Sequence, residues 1–220
     1  MSSAAVVPGV VVLISGEGTN LQALIDASRD GVLHASVRTV ISDRRDARGL
    51  ERAKRAGIAA RHIGRRNFPD RAAYERALAD AVEEADPAVI VLAGFMRVLG
   101  AAFVRRFERR MLNIHPSLLP RHRGLDTHRR VLAAGENLHG ATVHFVTEDL
   151  DAGPSVIQYR LPVRPDDTPE SLAERVHRGE HLILPRATEW LAGGRLRLED
   201  AAVMLDGERL SGPVVVEEGR

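Results

Sequence analysis

The stretch VVVLISGEGTNLQALID, residues 10–26, decides the fold class of this chain. It opens with an apolar, mainly β-branched run that ends at Gly16, which is typical of a buried strand. Beyond the glycines, apolar residues recur at helical spacing at Leu21, Leu24 and Ile25. A buried strand that turns through glycines into a helix is the first half of a βαβ unit, so we predict an α/β fold.

The same alternation continues to about residue 110. We predict strands in SVRTVISD (36–43) and near AARHIG (59–64), and helices in DARGLERAKRAG (46–57), from about Asp70 to Ala85, and from about Ala101 to Arg109. The segment AVIVLAGF, residues 88–95, is the most apolar strand, and we place it at the centre of the sheet. The first half of the chain is therefore expected to form a parallel sheet.

The second half of the chain follows a different order. A helix is predicted in THRRVLAAG (127–135), followed by the strands GATVHFVT (140–147) and SVIQYRLPV (155–163), which a Gly-Pro turn allows to run antiparallel. Residues 168–194 predict a long amphipathic helix with Thr168 as its cap and Gly193 as its stop. The last 25 or so residues predict a short strand or hairpin and a loose tail. We therefore expect one Rossmann-like domain over residues 1–220, with flanking helices and an antiparallel C-terminal part.

Composition limits the class of protein. The chain has 220 residues, 44% hydrophobic and 28% charged, as in soluble globular proteins. No apolar run approaches the ~20 residues that span a bilayer, and the N-terminus lacks the basic region of a signal peptide, so a cytoplasmic location is expected. The absence of cysteine excludes disulfides, thiolate catalysis and thiolate metal sites. A formal net charge of +1 gives no indication of a nucleic acid or membrane partner.

The loop SGEGTN, residues 15–20, is the first candidate site. Its glycines allow close backbone approach, and the helix N-terminus that follows offers free N–H groups to an anion. The match to a dinucleotide fingerprint is poor, because Leu21 replaces the third glycine, although Asp43 could act as the ribose-binding acid of that fold. The alternative is a tight turn in which Asn20 caps the helix.

The stretch LNIHPSLLP, residues 112–120, is the second candidate. Asn113 and His115 alternate, so both point to one face of a strand that Pro116 ends. Ligands of parallel sheets bind outside the carboxyl ends of the strands, which favours a functional interpretation over a structural histidine.

The turn TEDLDAGP, residues 147–154, is the third candidate and holds the carboxylates of Glu148, Asp149 and Asp151. One of them could reach the histidine, fix its tautomer and raise its pKa. The alternative is an acidic, solvated loop.

Four motifs together resemble a known family. VLISGEGTNLQALID, VLAGFMRVL, LNIHPSLLP and HGATVHFVTEDLDAGPSVIQ are similar to the 10-formyltetrahydrofolate-dependent transferases and hydrolases, and within them to the glycinamide ribonucleotide formyltransferases of purine synthesis. The resemblance runs in order from about residue 10 to residue 208. It implies a nucleotide-binding half at about 8–110 and a folate-binding, catalytic half at about 111–208.

The resemblance also implies the reaction and its residues. The co-substrate would be 10-formyltetrahydrofolate and the acceptor glycinamide ribonucleotide, without a metal; a homodimer is one option for the oligomeric state. The implied catalytic residues are Asn113, His115 and Asp151. The implied ribonucleotide-binding residues are Gly18, Thr19, Asn20 and Glu180. The implied folate-binding residues are Arg71, Met96, Arg97, Val98 and Leu99, together with Asn113, Glu148 and Asp151.

Three features and two alternatives accompany the resemblance. Glu17 puts a carboxylate near the expected phosphate, and Arg123 stands where the family commonly has proline. His144 is expected to support the site without being a catalyst.

The nearer alternative is a formyltetrahydrofolate hydrolase or another formyltransferase with the same catalytic residues. The more distant one is a non-catalytic nucleotide-binding Rossmann protein.

Overall fold

The computed structural model describes residues 7–219. Within these residues the elements are, in order, β1 (Gly9–Ile14), α1 (Thr19–Arg29), β2 (Ser36–Ser42), α2 (Arg48–Arg55), β3 (Ala59–His62), α3 (Arg71–Glu83), β4 (Val89–Leu92), α4 (Ala101–Arg106), β5 (Met111–His115), α5 (Thr127–Ala133), β6 (Leu138–Phe145), β7 (Ser155–Pro162), α6 (Pro169–Ala192), β8 (Leu196–Glu199), β9 (Ala202–Leu205), β10 (Glu208–Arg209) and β11 (Val214–Glu217). A single 3-10 turn, Arg65–Asn67, precedes α3.

Eight of the described strands form one sheet in the order β11-β7-β6-β5-β4-β1-β2-β3. The strands from β3 to β5 pair in parallel, and β6 pairs antiparallel with both β5 and β7. The expected mostly parallel sheet with an antiparallel C-terminal part is confirmed. The central placement of AVIVLAGF is also confirmed, because β4 is one of the two middle strands and all its residues are buried.

The prediction of a loose C-terminal tail is wrong, because residues up to Glu217 belong to two sheets. β8, β9 and β10 form a separate antiparallel sheet, and β11 adds to the edge of the main sheet, parallel to β7. Arg175 of α6 fastens the end of this segment, since its Nη2 donates to Glu218 Oε2 at 2.7 Å and its Nη1 donates to Asp167 Oδ2 at 2.8 Å. Such long-range pairing leaves no local periodic pattern, so it could not be predicted from any single stretch of residues.

The first turn of α1 differs from the alternative in which Asn20 is the cap. Asn20 does not cap the helix; α1 begins at Thr19, after Gly18 with a φ of 71°. Gly18 must be glycine because a Cβ there would lie 2.6 Å from the Cα of Gly49, in a backbone region that other residues rarely adopt. The Gly49 N–H donates to the Gly16 carbonyl at 3.1 Å, which holds the glycine loop against α2.

The longest helix follows its predicted limits. Thr168 caps α6 through a reciprocal hydrogen-bond pair with Ser171, and Gly193 follows the last turn. α6 packs on β6, β7 and α1, so it joins the two halves of the chain. The carboxyl ends of β1, β4 and β5 meet at one edge of the sheet, which is where a ligand site is expected in this architecture.

Replacing Arg175 with alanine tests how the C-terminal edge is held. The Asp167 carboxylate is 4% exposed and would lose its cationic partner in the variant. Removing one partner of a buried ion pair leaves an uncompensated charge, so we expect the free energy of unfolding to fall by about 3 kcal/mol in urea titrations.

Arg164→Ala is the matched control. Arg164 also faces Glu218, but at 4.0 Å and with its side chain 58% exposed. Exposed pairs contribute ~0–1 kcal/mol, so this variant should unfold close to the wild type. Equal losses in the two variants would contradict the role of Arg175.

Candidate active site

The three predicted catalytic side chains lie together at the end of β5. Asn113 and His115 share a face of this strand, and the turn after β6 brings Asp151 to them. Asp151 Oδ1 accepts from Asn113 Nδ2 at 3.4 Å, and Asp151 Oδ2 lies 3.4 Å from His115 Nδ1. The side chains of His115 and Asp151 are 7% and 8% exposed, which rules out the alternative of a solvated acidic loop for Asp151.

A loop between β5 and α5 holds both His115 and Asp151 from the other side. The carbonyl of His122 lies 2.9 Å from His115 Nε2, and the Gly124 N–H donates to Asp151 Oδ2 at 3.0 Å. A carbonyl only accepts, so His115 carries a proton on Nε2 and presents Nδ1 to the carboxylate. An imidazolium ring would donate from both nitrogens here, and the site is therefore suited to a positive charge on His115.

His144 lies beside Asn113 on the neighbouring strand, and its supporting role stays a prediction. The Asn113–His144 pairing follows from the antiparallel register of β5 and β6. His144 Nδ1 donates to the Phe145 carbonyl at 2.8 Å, so its Nε2 is free to accept from Asn113 Nδ2 at 3.0 Å. Burial lowers the pKa of His144 to about 4, so the ring is neutral near pH 7. A neutral acceptor at this point fixes which way the Asn113 amide is turned.

A pocket of about 490 Å³ adjoins the three catalytic candidates. It lies between the segment that follows β4 and the turn that follows β6, and Phe95, Val98 and Leu99 form part of its apolar wall. Asn113, Glu148 and Asp151 supply polar groups to the same pocket. A mostly apolar cleft with a few converging polar groups is the usual form of a small-molecule site.

The predicted folate-binding residues are distributed around this pocket. The pocket is lined by Arg97, Val98, Leu99 and Glu148. Met96 does not line it, and its side chain is exposed, but its backbone N–H donates to Ser15 Oγ at 2.8 Å. Arg71 lies outside the pocket and is held to this segment, because its Nη2 donates to the Val98 carbonyl at 2.9 Å.

The glycine loop and α6 form a second polar region. α1 has no side-chain cap, so its first backbone N–H groups are free to bind an anion. Asn20 Nδ2 donates to Glu180 Oε2 at 2.8 Å, which brings together two predicted ribonucleotide-binding residues that are 160 positions apart. Burial raises the pKa of Glu180, and the buried Asn20 Oδ1 has no hydrogen-bond partner among the described residues.

Asp43 does not match its predicted use as a free ribose-binding acid. It is buried, and its oxygens accept from Ser15 Oγ at 2.6 Å and from Arg97 Nε at 2.7 Å. Both carboxylate oxygens are thus engaged within the chain. The Ser15–Asp43–Arg97 contacts connect the ends of three strands, and sequence reasoning missed them because the residues share no local motif.

The two departures from the family pattern have local partners. The Glu17 carboxylate lies 3.2 Å from Arg48 Nη1, so its charge is paired rather than directed freely at the loop. The Arg123 carbonyl accepts from Arg130 Nη1 at 2.7 Å, which ties this loop to α5.

Within residues 7–219, no three His, Cys, Asp or Glu side chains are grouped so as to hold a metal ion. The helices of the same range include none with the length and apolar character needed to cross a membrane.

Comparison with known proteins gives one consistent result. Residues 9–188 match a family model described as formyl transferase, and this range includes every site residue named above. Phosphoribosylglycinamide formyltransferase of Escherichia coli is 48% identical over 201 residues, covering 91% of this chain and 95% of that protein. The structure of the enzyme of the same name from Coxiella burnetii has a TM-score of 0.91 and 51% identity, covering 94% of this chain and 99% of that one. A formyltetrahydrofolate deformylase from Pseudomonas syringae has a TM-score of 0.84 and 27% identity, covering 91% of this chain and 66% of that one.

The buried histidines of β6 predict how stability depends on pH. Burial lowers the pKa of His139 to about 3 and that of His144 to about 4, whereas an unfolded histidine has a pKa of ~6.5. As the pH falls from about 6.5 towards 4, the unfolded state therefore binds protons that the folded state does not. We expect the free energy of unfolding to fall by roughly 1 kcal/mol for each of these histidines between pH 6 and pH 5.

Urea unfolding of His139→Asn at both pH values checks this origin. The variant should lose the contribution of one histidine, roughly 1 kcal/mol between pH 6 and pH 5, whereas His34→Asn, at a ring that is 77% exposed, should retain the full pH dependence. An unchanged pH dependence in His139→Asn would be inconsistent with a neutral, buried His139.

Proposed function

We propose that this chain, which belongs to the formyl transferase family, transfers the formyl group of 10-formyltetrahydrofolate to the amine of glycinamide ribonucleotide. The products would be formylglycinamide ribonucleotide and tetrahydrofolate, a step of purine biosynthesis. One observation carries the proposal: Asn113, His115 and Asp151 meet beside an apolar pocket at the carboxyl end of β5. The E. coli and C. burnetii relatives are named for the same transfer.

Asn113 is proposed to stabilise the negative oxygen of the tetrahedral intermediate. The amine attacks the formyl carbon, and the bond from that carbon to the folate nitrogen then breaks. One Asn113 N–H is held by His144 at 3.0 Å, while the contact to Asp151 is long, at 3.4 Å. The second N–H is therefore weakly engaged and available to the oxygen, and such a donor is worth ~3 kcal/mol.

His115 and Asp151 are proposed to act as a pair. A protonated His115 adds positive charge next to the developing oxyanion, and Asp151 supplies the opposite charge that supports it. A proton must pass from the attacking amine to the leaving folate nitrogen during the reaction. A histidine held between a carbonyl and a carboxylate is suited to assist that transfer.

The ribonucleotide is proposed to bind at the N-terminus of α1. Its phosphate would accept from the backbone around Gly18, Thr19 and Asn20, where the helix dipole also favours an anion. Glu180 would accept a ribose hydroxyl. The unpartnered Asn20 Oδ1 supports this placement, because a buried acceptor without a donor costs about 1–3 kcal/mol and a hydroxyl would satisfy it.

The folate is proposed to occupy the pocket beside the catalytic residues. Backbone groups of Met96, Arg97, Val98 and Leu99 would bind the pterin ring opposite Glu148 and Asp151. Arg71, which donates to the Val98 carbonyl, lies at the outer end of the same segment and would attract the negatively charged glutamate tail.

The site also supports the treatment of residues 1–220 as one functional domain. Gly18, Asn20 and Arg71 come from the first half of the chain, and the catalytic residues and Glu180 come from the second. Each proposed substrate would therefore contact both halves. The homodimer and the cytoplasmic location stay predictions from the sequence.

Formyltetrahydrofolate hydrolysis is the nearest alternative function, because a deformylase has the same fold. A hydrolase needs no acceptor site, whereas the uncapped α1 and the Asn20–Glu180 pair offer one. A non-catalytic binder is disfavoured by the buried His115–Asp151 pair, which costs desolvation energy and serves no purpose in nucleotide binding alone.

An absorbance assay for deformylated folate, run with and without glycinamide ribonucleotide, tests the function. We expect turnover that requires the ribonucleotide and a fall in kcat on the order of 100-fold in Asp151→Asn, with KM values changed much less. The amide keeps the shape of the carboxylate but removes the charge that favours a protonated His115.

Asp149→Asn is the control in the same turn: Asp149 also lines the pocket, but its carboxylate makes no hydrogen bond or ion pair in the described residues, so kcat should stay near the wild-type value. Formyl-folate consumption without the ribonucleotide would identify a hydrolase, and no consumption under either condition would favour a binding protein. Wild-type kcat in Asp151→Asn would remove Asp151 from the mechanism.

Replacing Glu180 with glutamine tests the acceptor site separately. Glutamine keeps one acceptor oxygen but replaces the other with an N–H donor and removes the charge. The weaker ribose contact should raise the KM for glycinamide ribonucleotide roughly tenfold, the cost of about one charged hydrogen bond. The KM for the folate should stay within about twofold, because Glu180 lies away from the folate pocket.

Glu174→Gln, on an exposed part of the same helix, should leave both KM values unchanged. Parallel increases in both KM values of Glu180→Gln would mean that Glu180 supports the whole site rather than the ribonucleotide.

A further inference from the structure

A row of buried polar side chains crosses three strands of the main sheet at the proposed catalytic histidine. His115 of β5 lies opposite Thr142 of β6, and Thr142 lies opposite Gln158 of β7. Residues that pair across neighbouring strands project from the same face of a sheet, so these side chains are neighbours. All three are buried. The mechanism proposed above uses His115 and gives no role to Thr142 or Gln158.

The Thr142 hydroxyl is fully used in holding the β5–α5 loop, residues 116–126. It donates its proton to the Ser117 carbonyl at 2.7 Å. Its oxygen accepts from the Leu119 N–H at 3.1 Å and from Gln158 Nε2 at 3.1 Å. A hydroxyl has one proton and two lone pairs, so these three hydrogen bonds use all of its capacity. Valine has nearly the same shape and could make none of them.

Gln158 holds the same loop from the next strand. Its second amide N–H donates to the Leu119 carbonyl at 2.9 Å. The amide is fixed in this orientation, because Gln158 Oε1 accepts from Arg160 Nη2 at 2.9 Å and only an oxygen can accept there. Both backbone groups of Leu119 are therefore bonded to side chains of the sheet, the N–H to Thr142 and the carbonyl to Gln158.

The β5–α5 loop depends on such side-chain partners. No helix or strand lies between β5 and α5 in the described chain, and buried backbone groups need hydrogen-bond partners. Ser117 also donates from its Oγ to the Arg121 carbonyl at 2.8 Å. The contact of Thr142 with Ser117 is thus passed along the loop to the residue just before His122.

The far end of the β5–α5 loop contacts the proposed catalytic pair. The His122 carbonyl lies 2.9 Å from His115 Nε2, and the Gly124 N–H donates to Asp151 Oδ2 at 3.0 Å. Another contact, from His122 Nε2 to Glu136 Oε1 at 2.7 Å, ties the loop to the connection between α5 and β6. The sheet and this connection together determine where the loop places its two backbone groups.

We propose that Thr142 is a positioning residue for formyl transfer, and that it acts through the β5–α5 loop on His115 and Asp151. The inference rests on the proposed function, because it adds a residue to that reaction. Thr142 does not line the proposed folate pocket, and the proposed ribonucleotide site lies at the start of α1 and on α6. Removing its hydroxyl frees the loop from β6, so the imidazole and the carboxylate are held less accurately. A displacement of about 1 Å in a catalytic group can cost ~100-fold in rate.

Steady-state kinetics of Thr142→Val test the inference. We expect kcat to fall on the order of 10- to 100-fold, because the catalytic pair is misplaced. Both KM values should stay within about twofold, because the affected groups act in the transition state and not in substrate binding. Thr142→Ser keeps all three hydrogen bonds and should retain kcat to within about threefold of the wild type.

Thr188→Val is the matched control for the loss of a buried hydroxyl. Thr188 is also fully buried, and its Oγ1 donates to the Leu184 carbonyl at 2.8 Å, within α6 and away from the β5–α5 loop. This variant should keep the wild-type kcat. Thermal melts of both valine variants separate a loss of stability from a loss of turnover.

Gln158→Met tests the same loop contact if Thr142→Val does not fold. It removes the donor to the Leu119 carbonyl, but Leu119 and Gln158 also line an open cleft of about 1000 Å³, where water can replace that donor. The variant should therefore fold, and its kcat should fall several-fold with both KM values unchanged.

Combining Thr142→Val with Asp151→Asn tests whether the effect passes through the catalytic pair. The single variant Asp151→Asn already lacks the carboxylate charge that the loop positions. Thr142→Val should therefore slow Asp151→Asn by a smaller factor than it slows the wild type, since residues that act as a unit have non-additive effects. Full multiplication of the two losses would contradict a shared route.

The outcomes separate this inference from the proposed function. No formyl transfer by the wild type with glycinamide ribonucleotide overturns the function itself. Transfer by the wild type, with wild-type kcat in Thr142→Val or, where that variant does not fold, in Gln158→Met, overturns the inference and leaves the function in place. Equal falls in kcat in the Thr142 and Thr188 valine variants, or a fall that serine at position 142 does not restore, would also overturn it.

Discussion

The contacts of the buried Asp151 carboxylate are the constraint on which the geometry of the candidate site depends. Asp151 lies on the turn after β6, and two other segments contact its carboxylate. Asn113 and His115 contact it from β5, and the Gly124 N–H contacts it from the loop before α5. A carboxylate with 8% of its side chain exposed is costly unless neighbouring groups stabilise its charge. Each of these segments therefore has to be in place for the others to be stable, and the site is fixed by the cost of leaving that charge unpaired.

The backbone around the site adopts strained conformations that this requirement explains. Asp151 and His122 both have positive φ, at 48° and 52°, in a region that residues other than glycine seldom enter. Such conformations cost of order 1–3 kcal/mol each and persist where surrounding contacts fix them. Both residues contact His115: the His122 carbonyl lies at Nε2, and the Asp151 carboxylate lies near Nδ1. Two of the eight non-glycine residues with positive φ in the described chain thus hold the histidine.

The sequence predicted what local pattern and spacing can encode. The strands, the helices and the central place of β4 followed from apolar periodicity, and the shared face of Asn113 and His115 followed from their alternation in β5. Spacing alone left three carboxylates of the turn equivalent, and the choice of Asp151 came from the family resemblance. The pairing of β11 with β7 and the capture of Asp43 by Arg97 were missed. Both depend on contacts between distant segments, which no single stretch of the sequence displays.

The parallel part of the sheet explains how the two proposed binding regions keep a fixed relation. The glycine loop follows β1, the segment that lines the proposed folate pocket follows β4, and the proposed catalytic residues Asn113 and His115 lie on β5. These three strands are neighbours with the same direction. Backbone hydrogen bonds continue past the strand ends, from Ser15 N–H to the Gly94 carbonyl at 3.1 Å and from Ala93 N–H to the Leu13 carbonyl at 2.9 Å. The loops therefore start from a rigid common edge. Catalysis between two bound substrates requires that their reacting atoms be held within a few tenths of an ångström (~0.5 Å), and a hydrogen-bonded sheet edge provides that precision better than independent loops would.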